Sequence, residues 1–439
     1  MDKNESVEMA VFLCQSCQSL TRGAVKQGEA EHGICQLCCG VCERIKQVAD
    51  QAVQNLESCG FEFDNVSLQI KLAPFITLQD GLLKYKTKSN WGEIDTFIKD
   101  MLRGEFEKAL AEKFPNVHNC FDADARGLVV DVSIDNSKSA VEAAVRVGCK
   151  PEQSAKQKRK SMPVLTMLSV NKYLKQLTGE TTLLPTPKET CDIVVNYMRG
   201  KSIFVTGSYQ KFVRSFTHSP WAIGGVTKGA GSVEGSIAPA LATKFNAETY
   251  KFHSAGREDM DVRMLGTGRP FAVELVNAKV YLEKDAVKEV EKQINNAPGE
   301  NVCVTNLDIA GKDCLVSLDS GANSKKKQYT CVIWVQKTIK PADLQILEDV
   351  NDMNVNQQCP IRVIHRRSAI MREKKVYSCS CEYLNSHFFI LRLVASAGTY
   401  IKEFVHGDFG RTDPSVASLL ECDAEIIQLD VEKLIFDNE

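Results

Sequence analysis

Residues 254–270 read Ser-Ala-Gly-Arg-Glu-Asp-Met-Asp-Val-Arg-Met-Leu-Gly-Thr-Gly-Arg-Pro. Three glycines, three acids and three arginines share this stretch, a density of mixed charge that excludes a buried helix. It reads as a loop that holds carboxylates among guanidinium groups. Chemistry alone allows two uses. One is a salt-bridged structural turn, the usual outcome for mixed charges. The other is a phosphate cradle of glycine backbone and arginine. The spacing matches neither the P-loop nor the dinucleotide fingerprint.

Downstream lies a second dense segment, residues 397–412, Ala-Gly-Thr-Tyr-Ile-Lys-Glu-Phe-Val-His-Gly-Asp-Phe-Gly-Arg-Thr. An apolar strand over 388–394 runs into it, Gly398 suits a tight turn, and a short helix should end near Gly407. Tyr400, Lys402, His406 and Arg411 then fall near a strand end. Further β patterns at 271–275, 330–335 and 361–364, with helices at 284–294 and 341–352, predict a large mixed sheet. Upstream of the loop come apolar segments at 191–195 and 202–205, a basic-aromatic stretch at 207–214 and a Gly-rich loop at 224–231. Val233, Ile237, Leu241 and Phe245 then recur at helical spacing. The tail after Thr412 is acidic, with Lys433 its only base, and should repel phosphate.

The N-terminal half alternates strand patterns (66–72, 127–132) with helical ones (about 38–56, 94–114, 139–147), an α+β region without a catalytic constellation. At its start, Cys14-x-x-Cys17 and Cys35-x-x-Cys38 are separated by 17 residues, which fits a paired-knuckle zinc pattern. Two such turns close a tetrahedron of thiolates, and a closed four-Cys site is structural because no coordination position stays open. Cys39 and Cys42 form a competing pair, but Cys42 already belongs to the following helix. The other 11 of the 17 cysteines are scattered, as small buried hydrophobes are.

The chain has 439 residues, enough for two or three domains at roughly 150 residues each, with 44% apolar and 25% charged residues. That composition excludes a chain disordered throughout, a collagen-like fibre and a membrane bundle. A net charge of −2 names no partner, so a nucleic-acid binder of this balance must concentrate positive charge locally. Candidates are Lys156–Lys160, Lys325–Lys327 and the 365–372 segment. There is no run of about 18 apolar residues and no secretory signal core. An intracellular protein, with no membrane partner, is expected in the cytoplasm and/or nucleus; the basic run at 156–160 is a weak nuclear-import hint.

Gly256-Arg257-Glu258-Asp259 resembles the G-R-x-D signature around the nucleophilic aspartate of pseudouridine synthases. The Gly398-Thr399-Tyr400-Ile401-Lys402 element resembles their later basic motif. Taken together with 361–367, these motifs are similar to those of the Pus ten family of tRNA pseudouridine synthases, over roughly 191–430. The cysteine pairs resemble that family's zinc module.

The resemblance implies an α+β chain. Residues 1–45 would be a Cys-rich zinc module, 46–200 a THUMP-like RNA-binding region, and 201–439 a catalytic domain with the pseudouridine synthase fold and its mixed sheet. It implies isomerisation of T-loop uridines of tRNA, fifty-four and/or fifty-five, by a monomer with no catalytic cofactor and one structural zinc. Asp259 would be the nucleophile, and Lys402 its partner, since a nearby cation favours the ionised carboxylate. Tyr329 would stack on the target base, Tyr400 would contact substrate, and Leu429 would wall the pocket. Arg257 would fill the space the flipped base leaves. The alternatives are a non-catalytic RNA-binding adaptor and a nucleotide-dependent enzyme, the latter lacking a Walker lysine motif.

Overall fold

The computed structural model describes residues 10–29, 33–135, 138–150, 165–179, 181–185, 188–299, 301–324, 326–366 and 368–435. The chain divides into two compact units, residues 1–201 and 202–439. Of the basic clusters, Lys156–Lys160 and Lys325 lie outside the described residues, as does Arg367.

In the first unit a four-stranded sheet runs His118–Asn119, Asn65–Lys71, Gly127–Asp135, Asp192–Arg199. The first three strands are parallel and the last is antiparallel. The Gly127–Asp135 strand is buried along nearly its whole length, as an inner parallel strand covered on both faces must be. Helices Val41–Gln54, Pro74–Thr87 and Ile94–Lys113 supply the cover. The first of these begins three residues later than the hydrophobic pattern suggests. Cys39 (φ 53°) and Gly40 (φ 77°) are left-handed and cannot extend a right-handed helix.

The second unit is built on a ten-stranded sheet. Its spatial order is Val302–Ala310, Ile203–Lys211, Val262–Val276, Ala424–Ile435, Lys326–Val335, Phe388–Ala395, Arg372–Asn385, Asn351–Gln357 and Thr412–Asp413, with Thr249–Ser254 paired off Val262–Val276. Strands Lys326–Val335 and Phe388–Ala395 alternate buried and half-buried residues, the period-two signature of a sheet with one face on the core. Val262–Val276 and Ala424–Ile435 pair in parallel, with Val262 opposite Leu429. Helix Val233–Lys244, capped by the Ser232 hydroxyl on the Gly235 N–H (2.9 Å), and helices Lys284–Asn295 and Cys314–Ser324 are the longest described helices of the unit.

Three expectations change here. Residues 254–270 are a loop only as far as Asp261, because Val262 opens the strand Val262–Val276. A register shift between Met264 and Arg269 absorbs the glycines, and a side chain at Gly266 (φ +59°) would lie 1.8 Å from the Glu432 carbonyl. Residues 361–364 are not a strand. Ile361–Arg366 is a 3₁₀ turn whose first N–H bonds the Asp408 carboxylate at 3.3 Å. Over 341–352 the helix is short, Pro341–Leu344 in 3₁₀ form and then Gln345–Glu348. The alternating Met353, Val355, Gln357 pattern draws the following residues into the strand Asn351–Gln357. The acidic tail holds the inner strand Ala424–Ile435. Its buried Asp430 is paired with Arg214 (2.6 Å) and with Arg263, while Asp413, Glu421, Asp423 and Glu425 stay exposed.

Candidate active site and metal centre

The loop between Ser254 and Val262 hangs from a buried ionic cluster. Gly256 turns it with φ +86°, where a side chain would meet the Arg269 guanidinium at 3.0 Å. Glu258 points inward, accepting from the Tyr209 hydroxyl at 2.8 Å and from Arg269 Nε at 3.0 Å. Lys211 Nζ lies 3.9 Å from its other carboxylate oxygen. All four residues are buried. The two cations grip the loop by its backbone. Lys211 donates to the carbonyls of Asp259 (3.0 Å), Met260 (3.3 Å) and, outside the loop, Phe216 (2.9 Å). Arg269 Nη1 donates to that of Ala255 (2.9 Å). Carbonyl bonds of this kind cannot neutralise two buried cations, so Glu258 supplies the counter-charge. With Glu258 inward, its neighbours Arg257 and Asp259 face the solvent side.

There Asp259 meets two cations. Its Oδ2 lies 3.1 Å from Arg362 Nη1 and 3.4 Å from Lys402 Nζ. Lys402 also donates to both oxygens of Asp261, at 2.8 and 2.7 Å. Burial works against the charge of Asp261, but these bonds win and hold its carboxyl below the usual range. Arg362 is aimed by buried Glu403, which accepts from its Nε at 2.7 Å and its Nη2 at 3.4 Å. Glu403 sits one residue after Lys402 on the short helix Ile401–His406, so one turn of helix sets both cations. Arg362 and Glu403 were not singled out from sequence. The available signal was that 361–367 and 397–412 both carry the resemblance.

Asp259 lines an open cleft of about 750 Å³. All six proposed catalytic and substrate-contact residues line it: Arg257, Asp259, Tyr329, Tyr400, Lys402 and Leu429. Asp261 is not among the lining residues, nor are His406 and Arg411. The last two shape the turn after the helix. Tyr329 lies within strand Lys326–Val335 rather than before it, opposite Val431, while Cys331 of the same strand faces Leu429. Burial raises the Tyr329 phenol, with Arg269 opposing, so the ring stays neutral. Tyr400 is fixed through its backbone, where the buried Gln357 amide accepts from its N–H and donates to its carbonyl, both at 2.9 Å. Lys327, Arg372 and Lys374 add positive charge to the wall.

In the first unit Cys14, Cys17, Cys35 and Cys38 place four sulfurs within 4.8 Å of one another, all buried. The Cys14–Cys38 separation is 3.8 Å. A tetrahedron with zinc–sulfur bonds of about 2.3 Å has edges of roughly this length, so the donor set fits the ion. Cys42 follows on the helix with its sulfur 3.9 Å from that of Cys17. Cys39 turns away into a backbone bond with Cys191.

Residues 204–434 match the family model described as Pus10, C-terminal. The protein named tRNA pseudouridine synthase Pus10 from Homo sapiens is 31% identical, with 94% of this chain and 80% of that protein covered. The protein of the same name from Mus musculus is 32% identical, covering 92% and 79%. That from Korarchaeum cryptofilum is 32% identical over 54% of this chain and 66% of its own length. The chain belongs to the Pus10 family. Among solved structures, a Cbf5-Nop10-Gar1 complex covers 52% of this chain and 48% of its own at 14% identity and TM-score 0.31. A pseudouridylate synthase covers 57% and 74% at 10% identity and TM-score 0.22. These superpositions are loose, and the family assignment rests on sequence.

Proposed function

We propose that the cleft isomerises T-loop uridines of tRNA, at fifty-four and/or fifty-five, with Asp259 as the attacking carboxylate. As a member of its family the chain is an isomerase, a tRNA pseudouridine synthase. The reaction breaks the N1–C1′ glycosidic bond, turns the base and forms C5–C1′, with the C5 proton lost and one proton gained at N1, so that the product is an isomer of the substrate. A carboxylate held at C1′ or at the pyrimidine ring acts as the nucleophile. The observation that carries the assignment is the position of Asp259. It faces the cleft between Arg362 and Lys402, whereas Asp261 is taken up by Lys402 outside the lining.

Arg362 and Lys402 lie beside the Asp259 carboxylate and fix its direction. Neutral Tyr329 offers a ring face to the base, Tyr400 a second contact, and Leu429 an apolar wall. Arg257, on the rim, fills the gap in the RNA stack once the base is flipped. Lys327, Arg372 and Lys374 meet phosphate. Recognition rests on RNA shape, phosphate and 2′-OH contacts, to which a THUMP-like region over 46–200 contributes. The four cysteines hold one structural zinc in the 1–45 module, and residues 201–439 form the catalytic domain. The enzyme works as a monomer where its substrate is, in the cytoplasm and/or nucleus.

The test is incubation with unmodified tRNA transcripts followed by position-resolved pseudouridine mapping. Wild type forms pseudouridine in the T loop. Asp259→Asn, which keeps size but loses nucleophilicity, forms none and still binds tRNA. Loss of activity in Asp261→Asn but not in Asp259→Asn would move the role to Asp261. Activity in both variants would end the carboxylate mechanism for this site.

A further inference from the structure

After helix Ile401–His406 the chain makes a turn of four successive residues in the left-handed region: Gly407 (φ 78°), Asp408 (φ 47°), Phe409 (φ 58°) and Gly410 (φ 82°). Glycine adopts this conformation freely; aspartate does so at a cost and phenylalanine at a larger one. The turn is nevertheless held firmly. The Asp408 N–H donates to His406 Nδ1 at 3.0 Å. Its buried carboxylate accepts from the Ile361 N–H at 3.3 Å and faces Arg411 Nε at 3.5 Å. The Arg411 N–H closes onto the Asp408 carbonyl at 3.2 Å.

The product of this construction is a phenylalanine that is 95% exposed. Phe409 therefore adds little to the core, and its strained backbone is not repaid by packing within the chain. Strain of this kind persists where the surroundings over-determine it, and it concentrates at functional sites.

The position gives the turn its use. The carboxylate of Asp408 caps the 3₁₀ turn Ile361–Arg366, and the next residue of that turn, Arg362, pairs with Asp259 in the cleft. Phe409 thus follows directly on the residue that anchors the turn carrying Arg362, just outside the lining of the cleft itself. A uridine entering the cleft must leave its stack, which leaves its neighbours short of a π-face. We infer that Phe409 is a stacking platform for an unstacked base next to the target uridine. This rests on the tRNA reading above. Stacking on an aromatic face tolerates any base, so the platform contributes affinity and positioning rather than sequence choice.

The test uses the full chain and an unmodified tRNA transcript, with dissociation constants from filter binding and melting temperatures measured in parallel. Phe409→Ala should weaken binding roughly tenfold or more, the usual effect of removing one stacking ring. Phe409→Trp should bind as wild type, and Phe409→Leu, apolar without a π-face, should not. Phe409→Gly should melt at or above the wild-type temperature, because it relieves the left-handed strain, while binding as poorly as the alanine variant. Unchanged affinity in Phe409→Ala overturns the platform, as does full recovery by leucine or a lower melting temperature with intact binding in Phe409→Gly. Failure of the wild-type chain to bind tRNA instead refutes the functional reading and this inference with it.

Discussion

Arg362 carries two carboxylates on one guanidinium, Glu403 through Nε and Nη2 and Asp259 through Nη1. Glu403 thereby fixes where the third nitrogen points. Charge-assisted bonds of this type contribute about 1.5–3 kcal/mol, so Arg362→Gln should lower kcat by roughly 10- to 100-fold. Glu403→Gln should lower it by less, with the tRNA dissociation constant nearly unchanged in both. Single-turnover pseudouridine formation separates the two quantities, and an effect confined to binding would remove Arg362 from the chemistry. His218 gives a second prediction at this scale. Its Nε2 and the Ser254 hydroxyl are 2.7 Å apart, and that hydroxyl donates to the Gly256 carbonyl, so Nε2 carries the proton of a neutral ring. Burial lowers its pKa to about 4 from 6.5. Between those values the unfolded chain binds the proton and the folded one does not. The contribution is therefore fully present above pH 6.5 and is lost as pH falls towards 4, by roughly 3 kcal/mol at the end. Thermal melts from pH 7 to 4 should fall more steeply for wild type than for His218→Gln, and parallel curves would contradict it.

The loop that bears Asp259 is an element stabilised from below. Glu258→Gln keeps the shape and removes the counter-charge of Lys211 and Arg269, leaving uncompensated buried cations, a defect worth about 3–5 kcal/mol. The expected outcome is a melting temperature lowered by several degrees and a lower kcat, because the clamp on the Asp259 carbonyl loosens. A double change, Glu258→Gln with Lys211→Met, should recover part of the stability, and no recovery would mean that the charges are not coupled. The sequence showed how much of this could be read in advance. The carboxylate-bearing loop, the helix after Tyr400 and the six cleft residues were legible because they are local patterns or motif positions. The inward turn of Glu258 was not, since its partners Tyr209, Lys211 and Arg269 come from two other strands. The 3₁₀ turn at Ile361–Arg366 was hidden for the same reason: its cap, Asp408, is 47 residues away. A short apolar run looks like a strand until the partner that satisfies its first N–H is known.

At the scale of the whole molecule, a net charge of −2 coexists with a cleft wall bearing Arg257, Lys327, Arg372 and Lys374. Counterion release predicts that the logarithm of tRNA affinity falls linearly with the logarithm of salt. Replacing Arg372 by alanine should reduce the slope by about one unit while leaving site choice intact. A flat dependence would assign these cations to solvated surface. For the cysteine site, elemental analysis of protein purified without chelator should find one zinc per chain. Cys35→Ser should lower the melting temperature of the first unit, because metal affinity there is folding free energy. Protein that holds no zinc and melts as the serine variant does would refute the assignment.

The parallel pairing of Val262–Val276 with Ala424–Ile435 also orders events during synthesis. Among the described residues, the strand that joins the two flanks of the ten-stranded sheet follows every other strand of that sheet in chain order, so the ribosome makes it after them. Until it emerges, Val262–Val276 and Lys326–Val335 each present an unfilled edge where it will lie, and such edges recruit other chains. Leu429 and Val431 of the cleft wall arrive with it. A nascent chain halted before Ala424 is thus a pair of open half-sheets with an unfinished pocket, and its fate is aggregation or proteolysis rather than partial activity.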